Sequence, residues 1–198
     1  MRALGIVLAA GAGRRMGAPK ALLRGPDGRT WVARAAQALR AGGCAEVAVT
    51  LGAAAPDVLA ELPPGVTGLA VPDWAEGVGA GVRAALEHAA AGGADVLVLV
   101  PVDLPGLSAD DVAAVLAAAA AAPEPAAVRA TDGGRPGHPV ALGRGHWAAA
   151  LAATGGDTGL RAFLDGVGVR EVPRAGAVAD VDSPAGLPPG TLLPPPHA

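Results

Sequence analysis

The sequence contains no tyrosine and a single phenylalanine among 198 residues. Aromatic platforms for stacking on the bases of a nucleic acid are therefore scarce. Charge is scarce too: 17% of residues are charged, with a formal net charge of −3, and the mean hydropathy is +0.41. A chain with a pI near 5.7 lacks the basic footprint of a protein that binds nucleic acid by neutralising many phosphates. A small local anion site stays open to it. Cys44 is the single cysteine, which excludes an intrachain disulfide and a cysteine-based zinc cluster. The histidines, His88, His138, His146 and His197, show no metal-ligand spacing. The apolar run 112–123 falls far short of the roughly 18 residues of a membrane span. The start, MRALGIVLAAGAG, has the outline of a signal peptide. Its arginine pair, Arg14–Arg15, follows the apolar stretch, where a twin-arginine signal would place it before. A cytoplasmic protein with no membrane and no nucleic-acid partner is the expectation.

What the chain has in quantity is alanine, 30 glycines and 19 prolines, which punctuate short apolar runs. The pattern predicts strands at 2–8, 45–51, 66–71, 95–100, 126–130, 138–142 and 167–172. Helices are predicted at 31–41, 56–62, 79–91, 108–122, 145–153 and 158–164, several ended by glycine or proline pairs. DVLVLV at 95–100 is the clearest buried strand, and Ser108 precedes its helix as a candidate N-cap. Strands alternating with helices imply an α/β fold in three α/β/α layers with a mostly parallel, Rossmann-like sheet. Ligands in such folds sit at the carboxyl ends of strands. The segment from Pro184 is proline-rich. One domain over residues 1–187, with a disordered tail at 188–198, is the expected organisation.

Two groups of residues fall at predicted strand ends. The first is LAAGAGRRMGAPK, residues 8–20. At this glycine frequency, roughly four or five G-x-G triplets arise by chance, and the chain has them starting at Gly11, Gly77, Gly79, Gly143 and Gly166. The triplet alone is uninformative. A dinucleotide fingerprint fails because Met16 stands where its third glycine belongs, which weighs against a dehydrogenase. A P-loop fails because Ala18 and Pro19 separate Gly17 from Lys20. What is left is still suited to an anion: Gly11, Gly13 and Gly17 allow backbone N–H groups to turn inward, and Arg14, Arg15 and Lys20 add cations. A solvated basic turn is the alternative. The second group is Asp103, just past the 95–100 strand and between Pro101 and Pro105. Asp180 and Asp182, two residues apart, share one face of an extended chain.

LAAGAGRRMGAPK resembles the signature loop LxxGxGxRMGxxK of nucleotidyltransferases of the molybdenum-cofactor type. Later segments agree in order: PDWAEGVGAGVRAAL at 72–86, PVDLPGLSADDVAAVL at 101–116, RPGHPVAL at 135–142, GDTGLRAFL at 156–164 and VADVDSPAGL at 178–187. The chain departs from the family at Val71, at Ala80–Gly81 and at Ser183–Gly186, which lacks an acid of the DxDTPxDL ending.

The resemblance implies a nucleotide-diphospho-sugar-transferase-like fold. It also implies an enzyme that moves a nucleoside monophosphate from an NTP onto a phosphorylated acceptor. In the implied site, Leu8, Ala9, Ala10, Gly11, Ala12, Gly13, Gly17, Gly77 and Gly79 bind the nucleotide. Arg15, Lys20 and Asp103 are catalytic, with Arg14 peripheral. Asp103 and Asp182 hold Mg²⁺, with Mn²⁺ as a substitute. Arg135, His138, Asp157 and Arg161 are the candidates for acceptor binding, although Asp157 also reads as an N-cap and His138 as a core histidine. No general base is required, because the attacking phosphate is already ionised. Ala10 in LAAG resembles the cytidylyltransferases, where the guanylyltransferases tend to have LAGG. CTP and a molybdopterin-type acceptor are therefore the expected substrates, with GTP or another phosphorylated acceptor as the alternative. A non-catalytic nucleotide-binding relative is the reading from another class. A monomer is expected, handing its product to a molybdoenzyme or its chaperone.

Overall fold

In the computed structural model, which describes residues 1–194, seven strands form one sheet in the order β3-β2-β1-β4-β6-β5-β7. The strands are β1 (Ala3–Leu8), β2 (Glu46–Leu51), β3 (Thr67–Ala70), β4 (Val96–Pro101), β5 (Ala127–Asp132), β6 (Arg135–Gly143) and β7 (Arg170–Pro173). Only β6 runs against the others, pairing antiparallel with β4 and β5. The helices are α1 (Trp31–Ala41), α2 (Ala55–Ala60), α3 (Val78–Ala91), α4 (Ala109–Ala119), α5 (Trp147–Ala153) and α6 (Arg161–Asp165).

The layers follow from the alternation in the strands. In β4, Val96, Val98 and Val100 join one buried cluster with Val32 and Leu39 of α1 and Val112 and Val115 of α4. Leu97 and Leu99 point the other way, into a cluster with Val82 and Leu86 of α3, Trp147 of α5 and Leu164 of α6. A strand buried on both faces has no use for polar residues, which is why DVLVLV reads as a continuous apolar run. The chain starts at β1, builds outward through β2 and β3, and returns to β4 on the other side of β1. The crevice that opens where the winding reverses lies at the carboxyl ends of β1 and β4. The loop 9–19 and the turn carrying Asp103 both emerge there.

The differences from the sequence reading have physical causes. The expected strands at 126–130 and 138–142 are one continuous hairpin, closed by Gly133 and Gly134 at φ +57° and +78°. Positive φ at both residues suits the right-handed twist of the flanking strands. Prolines 136 and 139 made the start of β6 look like loop. They are tolerated because β4 pairs with β6 only from Val140 onward, and a register shift lies opposite them between Arg129 and Thr131. The helix expected at 108–122 spans Ala109–Ala119, with Ser108 outside it as the N-cap, in a reciprocal capping box with Asp111. The helix expected at 158–164 shortens to α6, and β7 starts at Arg170 instead of 167. The tail expected to be disordered is held at Leu192, whose backbone exchanges two hydrogen bonds with Arg24. The last four positions, 195–198, lie outside the described residues.

Helix α1 meets α4 at Gly42, where an added Cβ would lie 2.5 Å from the Val112 Cβ and 2.7 Å from the Ala109 carbonyl oxygen. We expect Gly42→Ala to cost about 1–3 kcal/mol through overpacking. In urea denaturation, the double variant with Val112→Ala should lose less than the sum of the two single losses.

Candidate active site

The loop after β1 is fixed at its start and free in its middle. The Ala9 N–H donates to Thr50 Oγ1 at 2.8 Å, and the Ala10 carbonyl accepts from Ala53 N–H at 3.0 Å. Thr50 lies in the neighbouring strand, β2, and Ala53 in the turn just beyond it. The Gly13 carbonyl accepts from the N–H groups of Met16 and Gly17, each at 2.9 Å, which closes one tight turn. Gly13 has φ +62°, and a Cβ there would fall 1.9 Å from the Ala18 carbonyl oxygen, so only glycine fits. Met16, the residue that breaks the dinucleotide fingerprint, is 2% exposed and plugs the turn into the core. Between these anchors, the N–H groups of Gly11, Ala12 and Gly13 make no hydrogen bond among the described residues. All three residues line a cavity of about 630 Å³.

Lys20 begins a single 3-10 turn whose next two residues, Ala21 and Leu22, are buried. Its backbone is thus anchored while the side chain reaches the cavity. Lys20 Nζ donates to Asp103 Oδ2 and to Asp182 Oδ1, each at 2.7 Å. The other oxygen of Asp182 takes an ion pair from Arg15 at 2.9 Å. Asp182 is delivered by a backbone hydrogen bond, 3.0 Å long, from Val181 N–H to the Asp103 carbonyl. Burial alone would lower the Lys20 ammonium, but the hydrogen bonds to Asp103 and Asp182 outweigh it and hold its pKa above the ordinary value. The same hydrogen bond from Lys20 holds the Asp182 carboxyl below its ordinary value, against a smaller desolvation effect. Both shifts favour the charged forms of Lys20 and Asp182.

The residues present fit a divalent cation. Asp103 Oδ1 is buried and has no hydrogen-bond partner. The paired oxygens of Asp103 and Asp182 can be no more than about 5.4 Å apart, since each lies 2.7 Å from the same Nζ. Among the described residues there is no cluster of three or more potential protein ligands. Mg²⁺ in phosphate-transfer sites typically takes one or two carboxylates and completes its shell with phosphate and water. Asp180, which stands two residues before Asp182 and is the other candidate for the second ligand, is exposed.

Of the residues expected to bind nucleotide, Leu8 through Gly13 and Gly77 line the cavity, together with Arg15, Lys20, Asp103 and Asp182. Gly17 and Gly79 are not in its lining. Gly17 shapes the turn at φ +80°, and Gly79 N–H donates to the Gly156 carbonyl at 2.8 Å. Arg14, expected to be peripheral, is in the lining, and so is Asp157, expected to meet the acceptor. Asp157 caps no helix, since α6 begins only at Arg161. His138 and Arg161 line a second cavity of about 370 Å³, which shares Leu8, Val78 and Pro101 with the first. Arg135 is exposed and lines neither cavity. Burial pushes the His138 imidazole below its ordinary pKa, partly offset by the backbone of Leu99 and the charges of Asp103 and Asp180. The Nδ1 atom of this imidazole is buried without a partner. Sequence reasoning missed Thr50 and Trp74. Thr50 is a polar residue inside an otherwise apolar strand, and that was its available signal. Trp74 lines the first cavity, while Trp31 and Trp147 are buried.

Residues 5–174 match the family described as the MobA-like NTP transferase domain. A "Probable molybdenum cofactor guanylyltransferase" of Rhodopirellula baltica is 41% identical over 108 residues, 54% of this chain and 51% of that protein. The chain therefore aligns with only about half the length of that relative. "Nicotine blue oxidoreductase" of Paenarthrobacter nicotinovorans is 38% identical over 172 residues, 81% of this chain and 80% of that protein. Among solved structures, the Rv0371c protein of Mycobacterium tuberculosis in complex with manganese has a TM-score of 0.77 at 27% identity, covering 94% of this chain and 96% of that one. No helix among the described residues is long and apolar enough to cross a membrane. With its seven-stranded sheet and the match over residues 5–174, the chain belongs to the MobA-like NTP transferase family.

Proposed function

We propose that the protein transfers CMP from CTP to a phosphate of a molybdopterin-type acceptor, with release of pyrophosphate. The observation that carries this reading is the convergence of Lys20, Asp103 and Asp182 beside unpaired backbone N–H groups in one cavity. A phosphate oxygen of the acceptor attacks the α-phosphorus of the nucleotide. The bond from that phosphorus to the bridging oxygen breaks, and its electron pair leaves with pyrophosphate. The N–H groups of Gly11, Ala12 and Gly13 cradle the triphosphate, while Arg15 and Lys20 neutralise charge that builds on the leaving group. Asp103 and Asp182 would hold Mg²⁺ or Mn²⁺, which when bound would supply Lewis-acid polarisation of the phosphate oxygens. The chain's residues otherwise position two anions against each other, with no covalent intermediate. The second cavity, lined by His138 and Arg161, adjoins the first, and this supports assigning the acceptor to it. Product then passes to a molybdoenzyme or its chaperone.

The base is the finer question. Ala10 packs where Gly52 would have its Cβ, 2.8 Å from the Ala10 Cβ. Ala10 is also among the residues that line the cavity, and an alanine at this place, as in the cytidylyltransferases, favours CTP. GTP is the second reading, favoured by the name of the Rhodopirellula relative. Reduction of a dye-like substrate is the reading that the Paenarthrobacter relative's name would suggest. The two carboxylates paired to Lys20 have no part in hydride transfer, and they favour nucleotidyl transfer instead.

Pyrophosphate release should be measured with each NTP, molybdopterin and Mg²⁺, beside a parallel assay of NAD(P)H oxidation. CTP is expected to turn over fastest. NAD(P)H oxidation without pyrophosphate release would overturn the proposal. Lys20→Ala and Asp103→Ala should each lower kcat by about a hundredfold or more, and near-normal turnover would remove the role given to either residue. Ala10→Gly should raise the GTP-to-CTP ratio of kcat/KM by about tenfold, as removal of one methyl group from a pocket does.

A further inference from the structure

We propose that Lys20 is a built-in counter-ion that keeps a divalent cation off the free protein, so that the cation enters together with the triphosphate that draws the ammonium away. The nucleotide half of this statement rests on the reading above; the competition between ammonium and cation does not.

The geometry leaves little choice. Lys20 Nζ is 2.7 Å from an oxygen of Asp103 and 2.7 Å from an oxygen of Asp182. A cation shared by the same two carboxylates would lie about 2.0–2.2 Å from an oxygen of each, in the gap the ammonium fills. The two cannot coexist there, by size or by charge. Three of the four carboxylate oxygens are already engaged by cationic side chains of this chain, Arg15 holding Asp182 Oδ2 at 2.9 Å. The fourth, Asp103 Oδ1, is buried and unpartnered. A cation arriving alone must break both charge-assisted hydrogen bonds of Lys20 and leave its ammonium without them. A triphosphate supplies the missing acceptors.

The chain is built for such an exchange by the side chain alone. Ala21 and Leu22 are 1% and 6% exposed, so the turn that carries Lys20 stays put. The Lys20 side chain is only 15% exposed, and Asp103 only 20%, so water competes weakly for either. Arg15, at 76% exposed, is solvated enough to follow the phosphates without cost to the core. Lys20 is thus a positioning residue before it is a catalytic one. It keeps Asp103 and Asp182 within reach of each other, although they lie 79 residues apart in the chain.

The test is Mn²⁺ binding to the full chain, read by electron paramagnetic resonance of the free ion, with folding of each variant checked by thermal melting. Without nucleotide, Lys20→Met is expected to bind Mn²⁺ about tenfold or more tightly than the wild type, the size of a typical coupling between two ligands. Lys20→Arg, which keeps the charge, should stay as weak as the wild type, and adding Asp103→Asn to Lys20→Met should abolish the gain. Lys20→Gln serves as a second neutral variant if Lys20→Met does not fold. A neutral variant that binds Mn²⁺ no more tightly than the wild type overturns the proposal. In the wild type, α,β-methylene-CTP should raise Mn²⁺ affinity, and by more than it does in the neutral variant. If no nucleotide raises it while the neutral variant still binds tightly, joint entry and the transferase reading both fail. The ammonium–cation competition then stands by itself.

Discussion

One ammonium group organises the functional end of this molecule. Lys20 Nζ, 2.7 Å from each of two carboxylate oxygens, ties together a loop after the first strand, a turn after the fourth and a segment near the end of the chain. Each of the three is held by independent means. The loop is plugged by Met16 and stitched to β2 through Ala9 and Ala10. The turn is continuous with the most deeply buried strand. The late segment is hung on the Asp103 carbonyl through Val181. Because the backbones are fixed and Lys20 and Asp103 are largely shielded, these ion pairs keep a geometry that an exposed cluster would lose to water.

The sheet explains why the cluster lies where it does. The winding reverses between β1 and β4, and a crevice opens there because the connections leave in opposite directions. The two cavities flank this point and share a wall of Leu8, Val78 and Pro101. A reaction between two anions benefits from such a layout, since each can be bound at its own subsite and meet at the common edge. The antiparallel β6 extends the second cavity, carrying His138 to its lining on the stretch of strand that β4 does not pair.

Much of this was legible in the residues. DVLVLV declared a strand buried on both sides, Ser108 declared a helix start, and the spacing of Arg15, Gly17 and Lys20 marked a loop unlike a P-loop or a dinucleotide turn. Two of those signals work because they are local: alternation and capping depend on neighbours a few residues away. The β5–β6 hairpin was harder, because its prolines are permitted by the absence of β4 pairing before Val140 and by the register shift in β5 between Arg129 and Thr131. Trp74 and Thr50 could not be assigned to the cavity from the chain alone. Their place depends on how β2 and the 72–79 segment fold against the first loop. Gly77 and Gly79 carry the opposite lesson, since only one of them lines the cavity, while the backbone of the other holds the 155–157 turn.

The family contains proteins whose names point to different chemistry on one scaffold, a guanylyltransferase and an oxidoreductase among them. Fold alone does not choose between them; the proposed choice rests on the charges around Lys20. The most direct measurement is therefore a crystal structure with α,β-methylene-CTP and Mn²⁺, using anomalous scattering to locate the metal. The account predicts one Mn²⁺ between Asp103 and Asp182, the triphosphate on the N–H groups of residues 11–13, and the Lys20 ammonium moved onto phosphate. A nucleotide bound elsewhere, or Lys20 still paired to both carboxylates with the metal bound at another place, would contradict it.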